Sequence, residues 1–192
     1  MSTVRVRHEA CVNRLFVASR ELHGTCGLIA FMNKDSKKTI GLVAHDNRKR
    51  DLIEWVDWNS PILLQHRLVC TGTTGRLVEE GLKARLARTQ DQTPVPEITR
   101  LKSGPLGGDQ QLGAMIAEGR IDVMIFFWDP MEPHPHDVDV KALLRIAVVY
   151  NIPIACNRST ADFIISSPLL SQPYSPIVKD YSAHVERKVK IE

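Results

Sequence analysis

The feature that most narrows the fold is a rhythm that begins after residue 38, where apolar runs of strand length alternate with stretches of helical pattern almost to the C-terminus. Strands that alternate with helices build parallel sheets, because a parallel return needs a crossover and a helix is the usual one. The apolar runs predict five strands, over residues 39–44, 67–71, 98–102, 123–128 and 152–156. Helical patterns fall between and after them, over 48–58, 74–87, 109–118, 137–150 and 160–166. The stretch 137–150 is the best marked: Pro135 precedes it, Asp137 is a natural N-cap, and Asp139 places a second acid where the helix dipole favours negative charge. The expected fold class is therefore α/β, a single domain with a five-stranded, mainly parallel sheet flanked by helices.

A chain of 192 residues is long enough for one such domain and short for two. The expected division is an N-terminal extension, 1–38, and a domain, 39–192. The extension is basic, has no clean periodicity, and lacks the compact apolar stretch and small-residue cleavage site of a secretory signal. Met32 offers an alternative start within it. The polar segment 88–97, with two prolines, reads as a surface excursion.

Composition excludes several classes. With 43% hydrophobic and 24% charged residues, the chain resembles an ordinary globular protein, and no run reaches the about 18 continuous apolar residues of a membrane span. The net charge of +3 is spread among acidic residues rather than gathered in a stripe, which gives a nucleic-acid partner little support. Cys11, Cys26, Cys70 and Cys156 have no CxxC spacing and read as reduced thiols in a cytoplasmic protein, with Cys70 and Cys156 inside strand-like apolar runs.

In an open parallel sheet, ligands collect at the carboxyl ends of the strands, where loops and helix N-termini can grip them. The unusual polar clusters of this sequence all fall there. The first strand runs into His45-Asp46, the second into TGTTG (71–75), the third into SGPLGGD (103–109), and the fourth into Asp129 and then His134-Pro-His136-Asp137. TGTTG has the composition of a phosphate cradle, with glycines that let N–H groups approach and threonine hydroxyls that donate. It equally suits a helix cap and tight turn. It is not a Walker loop, since no Gly-Lys-Ser/Thr follows.

His45 and Lys49, four residues apart at a helix start, can face the same side of the rim and converge on an anion, or serve as a capping histidine and a solvated lysine. In SGPLGGDQQ three glycines in five residues precede one carboxylate, Asp109. That carboxylate could be a placed general base, the N-cap of the next helix, or both. His134, His136, Asp129, Asp137 and Asp139 include metal-ligand types, but the flanking prolines and the helix-start duties of the acids favour a loop that presents His136 toward Asp109 for proton relay.

Together LVAHDNRK, TGTTG, SGPLGGDQQ, DVMIFFWDP, PHDVDVKALLR and STADFIISSP resemble the methylglyoxal synthase family, in family order and over most of residues 39–187. The resemblance implies a lyase that converts dihydroxyacetone phosphate to methylglyoxal and inorganic phosphate through an enediolate, with no metal or organic cofactor. It implies Asp109 as the catalytic base and His136 as a substrate contact that moves enediol protons. His45, Lys49, Thr71, Gly72, Thr73, Thr74, Ser103 and Gly104 match positions that hold the substrate, chiefly its phosphate. Asp46, Asp129 and Asp139 match supporting acids, and Arg187 a phosphate contact from the C-terminal segment. A homohexamer and inhibition by phosphate also enter by resemblance alone. Two rivals remain beside it: a non-catalytic phosphate-sensing module, which would not need Asp109 or His136, and a triose phosphate isomerase-like enzyme, which would release no phosphate.

Overall fold

The computed structural model describes residues 36–132 and 137–182. His134, His136 and Arg187, together with most of the extension and with Cys11 and Cys26, lie outside the described residues.

Five strands form one sheet: β1 (Thr39–Ala44), β2 (Arg67–Cys70), β3 (Ile98–Arg100), β4 (Val123–Phe127) and β5 (Ile154–Ala155). All four pairings are parallel and the spatial order is β3-β2-β1-β4-β5. Five α-helices accompany them: α1 (Lys49–Leu63), α2 (Gly72–Thr89), α3 (Gly108–Ala117), α4 (Asp137–Val149) and α5 (Arg158–Ile165). Alternate strand residues feed two apolar layers, as the two-residue period of a strand requires. Ile40, Leu42 and Ala44 join Leu52, Trp55, Val78, Leu82 and Ile165 from α1, α2 and α5. Val43, Val69, Met124 and Phe126 instead meet Leu112, Ile116, Val140 and Leu143 from α3 and α4. Both faces of the sheet are thus covered, which is why β1 and β4 read as continuous apolar runs.

The boundaries differ from the sequence pattern where backbone chemistry intervenes. α1 passes the expected stop at residue 58 and carries Pro61 in its last turn. Proline has no N–H for the Asp57 carbonyl, and the Ser60 hydroxyl donates to that carbonyl instead, at 3.0 Å. β3 leaves the ladder before Lys102 because that peptide is diverted: its N–H donates to Gln111 Oε1 (2.8 Å) and its C=O accepts from Gly72 (3.1 Å). β5 keeps only two residues of the expected five. Pro153 cannot donate to the ladder, and Ile152 N–H still closes the end of α4 on Ala147.

The chain walks from β1 outward to β2 and β3, then returns across β1 to β4 and β5. That reversal opens a crevice at the carboxyl ends of the adjacent strands β1 and β4, the position at which doubly wound sheets take ligands.

Candidate active site

A cavity of about 350 Å³ opens at that crevice. Three loops and a helix turn wall it: His45, Asp46 and Lys49 follow β1; Thr71, Thr73 and Thr74 follow β2; Ser103, Gly104 and Pro105 follow β3; and Asp109 stands on the first turn of α3, with Phe126 beneath. Nine of the ten sequence candidates are described, and eight of them, all but Gly72, line this one cavity. Gly72 sits behind it, where a β-carbon would come within 3.0 Å of Ser103 N. The tenth candidate, His136, and with it the relay loop, lies outside the described residues.

The TGTTG segment forms the first turn of α2, two residues earlier than the pattern suggested, with Thr71 in the extended N-cap conformation. Gly72 and Gly75 N–H groups are taken by Lys102 and Thr71 carbonyls (3.1 and 2.8 Å). The N–H groups of Thr73 and Thr74 have no backbone acceptor among the described residues. They stand at the positive end of an 18-residue helix, which suits an anion. The hydroxyls of Thr71 and Thr74, both buried, lie 3.4 Å apart. Lys49 brings an ammonium to the same rim and pairs there with Asp46.

Asp109 is 6% exposed. It is not an N-cap: Gly107 holds that position, in the left-handed conformation (φ 95°) that glycine adopts without penalty, and Asp109 is the second helical residue. The turn is drawn tight behind it, since a β-carbon on Gly108 would stand 2.1 Å from the Lys102 carbonyl oxygen. In front, the Asp109 carboxylate rests on Gly104, where a β-carbon would be 3.0 Å from Oδ2.

His45 is buried with its ring edge-on to Phe126 (5.1 Å between centroids). Its Nδ1 accepts the Asp129 backbone N–H at 3.3 Å, which in the neutral ring assigns the proton to Nε2 and makes that nitrogen a donor. Asp129 itself does not line the cavity. The Met131 N–H holds its carboxyl below the usual range, opposed by burial and helped by the Asn47 amide and the charges of Arg48 and His45. Asp139 is not brought into the cavity either: it shares a separate groove between α3 and α4 with the far side of Asp109.

Phe126, Asn47 and Gln111 are the contributors that sequence reasoning missed. Phe126 sat inside an apolar strand run, and the second glutamine of GGDQQ carried no signal that it would reach back nine residues to Lys102. Among the described residues no group of three or more His, Cys, Asp or Glu side chains is placed to hold a metal ion. The arrangement combines anion donors, an imidazole N–H donor and one buried carboxylate around a space of small-metabolite size. Such a set can hold a phosphate ester and take a proton from carbon.

The class defined by this fold is that of the MGS-like domain, whose family profile matches residues 52–156. Over 153 residues the chain is 58% identical to a methylglyoxal synthase of Maridesulfovibrio salexigens, covering 79% of this chain and 98% of that protein. A methylglyoxal synthase of Oleidesulfovibrio alaskensis is 57% identical, with 79% and 95% covered. The crystal structure of methylglyoxal synthase from Elizabethkingia anophelis NUHP1 superposes with a TM-score of 0.71 at 50% identity, covering 81% of this chain and 95% of that one. The chain belongs to the methylglyoxal synthase family.

Proposed function

We propose that this chain is a lyase that converts dihydroxyacetone phosphate to methylglyoxal and inorganic phosphate. The observation that carries the reading is a single buried carboxylate, Asp109, facing the same cavity as a helix N-terminus and its threonine hydroxyls, on a chain of this family. The phosphate is held by the N–H groups at the start of α2, by Thr71, Thr73 and Thr74, by Lys49, and by the turn at Ser103 and Gly104. Asp109 takes a proton from the hydroxyl-bearing carbon, and the electron pair forms the enediolate. His45 Nε2 donates a hydrogen bond to the oxygen or phosphate that gains charge. The remaining hydroxyl proton then passes to the neighbouring enediolate oxygen, a carbonyl forms where it left, the double bond shifts, and the carbon–oxygen bond to phosphate breaks with its electron pair going to the phosphate. The enol so released tautomerises to methylglyoxal.

Elimination requires that bond to stand perpendicular to the enediolate plane, so the cradle must hold it there; an isomerase must hold it in the plane. Donors around the leaving oxygens stabilise charge that grows only in the transition state. His136 is assigned to proton movement between the enediol oxygens on the strength of its motif, and Arg187 to the phosphate in the same way. No cofactor enters this route.

The domain comprises residues 39–192 and the extension residues 1–38; the relatives' coverage of 79% of the chain supports that division. Among the described residues no helix is long and apolar enough to cross a membrane. A cytoplasmic location, a homohexamer and inhibition by inorganic phosphate follow the family resemblance. The test is a coupled measurement of phosphate and methylglyoxal from dihydroxyacetone phosphate. Both products are expected in equal amounts; glyceraldehyde 3-phosphate without phosphate release would replace the lyase with an isomerase. Asp109→Asn is expected to abolish turnover and leave inorganic phosphate binding in place.

A further inference from the structure

The rim that carries the substrate cavity opens a second one, of about 410 Å³, between the carboxyl ends of β4 and β5 and the start of α1. The two share no lining residue. The second cavity presents two guanidiniums, Arg48 and Arg158, against one carboxylate, Asp51, with Trp128 and Pro130 as a flat apolar wall. None of these side chains has a part in the reaction above.

The charges there are loosely held. Arg48 Nη1 lies 3.2 Å from Asp51, but both side chains are close to half exposed. Arg158 is 3.8 Å from Glu54, beyond hydrogen-bond distance; it is exposed to the same degree, and Glu54 more so. Ion pairs of that kind hold little free energy, so a ligand can claim the guanidiniums at small cost. Arg158 also opens α5, and its neighbour Asn157, which lines the cavity too, caps that helix by accepting the Thr160 N–H on Oδ1 (2.9 Å). The helix adds its positive end to the two arginines.

We propose that this cavity is a second anion site, distinct from the substrate pocket, that takes a phosphoryl group. Guanidinium forks match phosphoryl oxygens in geometry as well as charge, and an ester carrying a flat body would lay it on Trp128. The site does not depend on which reaction the first cavity performs.

Equilibrium dialysis of the full chain against labelled inorganic phosphate counts the sites. The expected result is two equivalents per chain, falling to one in Arg158→Gln with turnover of dihydroxyacetone phosphate unchanged. One equivalent in the unaltered chain, or two retained in Arg158→Gln, overturns the proposal. Should Arg158→Gln fail to fold, Arg48→Gln is counted in the same way, with the same two outcomes. Phenyl phosphate as competitor then separates the sources: displacement at lower concentration than unlabelled phosphate identifies a ring-bearing ester, and equal displacement identifies the phosphoryl group alone. Turnover is read separately, so loss of the second site and failure of the lyase reading are distinguishable.

Discussion

Replacing Gly104 by alanine perturbs the substrate cavity without altering any group that transfers a proton. A β-carbon at that position stands 3.0 Å from Asp109 Oδ2 and 3.5 Å from both Cγ and Oδ1. Comfortable contacts of this kind lie near ~3.5 Å, so the carboxylate must retreat by about 0.5 Å. It has little room to do so, being 6% exposed and fixed to a helix turn whose Gly108 is already closed on the Lys102 carbonyl. Gly104 itself is not among the glycines with positive φ, so alanine brings no backbone strain. A misplacement of ~1 Å can remove about 100-fold in rate. Half that displacement, with the barrier rising in proportion, removes about tenfold, or ~1.4 kcal/mol. The phosphate donors on α2 are untouched, so the loss is expected in kcat, with KM and the melting temperature close to their starting values. Initial rates of phosphate and methylglyoxal formation at saturating dihydroxyacetone phosphate, with a thermal melt beside them, measure it. An unchanged kcat, or a rise in KM alone, would refute the placement of Asp109 against Gly104 as a determinant of the rate.

Three further outcomes follow from the same geometry. Thr74→Val keeps the shape of a side chain that is 1% exposed and removes its hydroxyl; a lost hydrogen bond to a charged group is worth about 1.5–3 kcal/mol, so phosphate affinity measured by calorimetry should fall by roughly 10- to 100-fold. His66 is held below its ordinary 6.5 by burial first and then by the charges of Lys38 and Lys37, and its Nδ1 accepts the Lys38 N–H at 3.3 Å. The unfolded chain therefore binds the proton more tightly, so stability from this group is present above pH 6.5 and is lost as pH falls from there through the lower folded value; denaturant midpoints for His66→Gln should lose that slope, and an identical slope would assign it elsewhere. Finally, His136→Ala should slow turnover to the same degree with or without chelator, whereas activity that collapses in chelator and returns with zinc would place a metal at the 129–139 loop.

Much of the architecture is carried by local pattern. The continuous apolar runs at 39–44, 67–70 and 123–127 and the helical pattern that begins at Asp137 are short-range consequences of side-chain chemistry, so they are legible one segment at a time. The same holds for the glycine-rich loops, since their composition advertises close backbone approach before any partner is known. What local pattern does not contain is where two segments meet. That Gln111 would seize the Lys102 N–H and end β3 early, or that Ser60 would let α1 run through Pro61, depends on groups brought together by packing.

The candidate site divides along the same line. From residues alone come the chemical types: a carboxylate after a glycine-rich turn, threonines at a helix start, and an imidazole beside a lysine. Tertiary structure decided that the return of the chain across β1 sets the ends of β1, β2 and β3 and the start of α3 around one cavity, while Asp129 and Asp139 fall outside it. It also decided that Gly107 rather than Asp109 caps α3, and that the Asp129 N–H selects the donor nitrogen of His45. The physical reason is one of range: propensities and periodicities act over a few residues, whereas the convergence of three strand-end loops is a property of strand order.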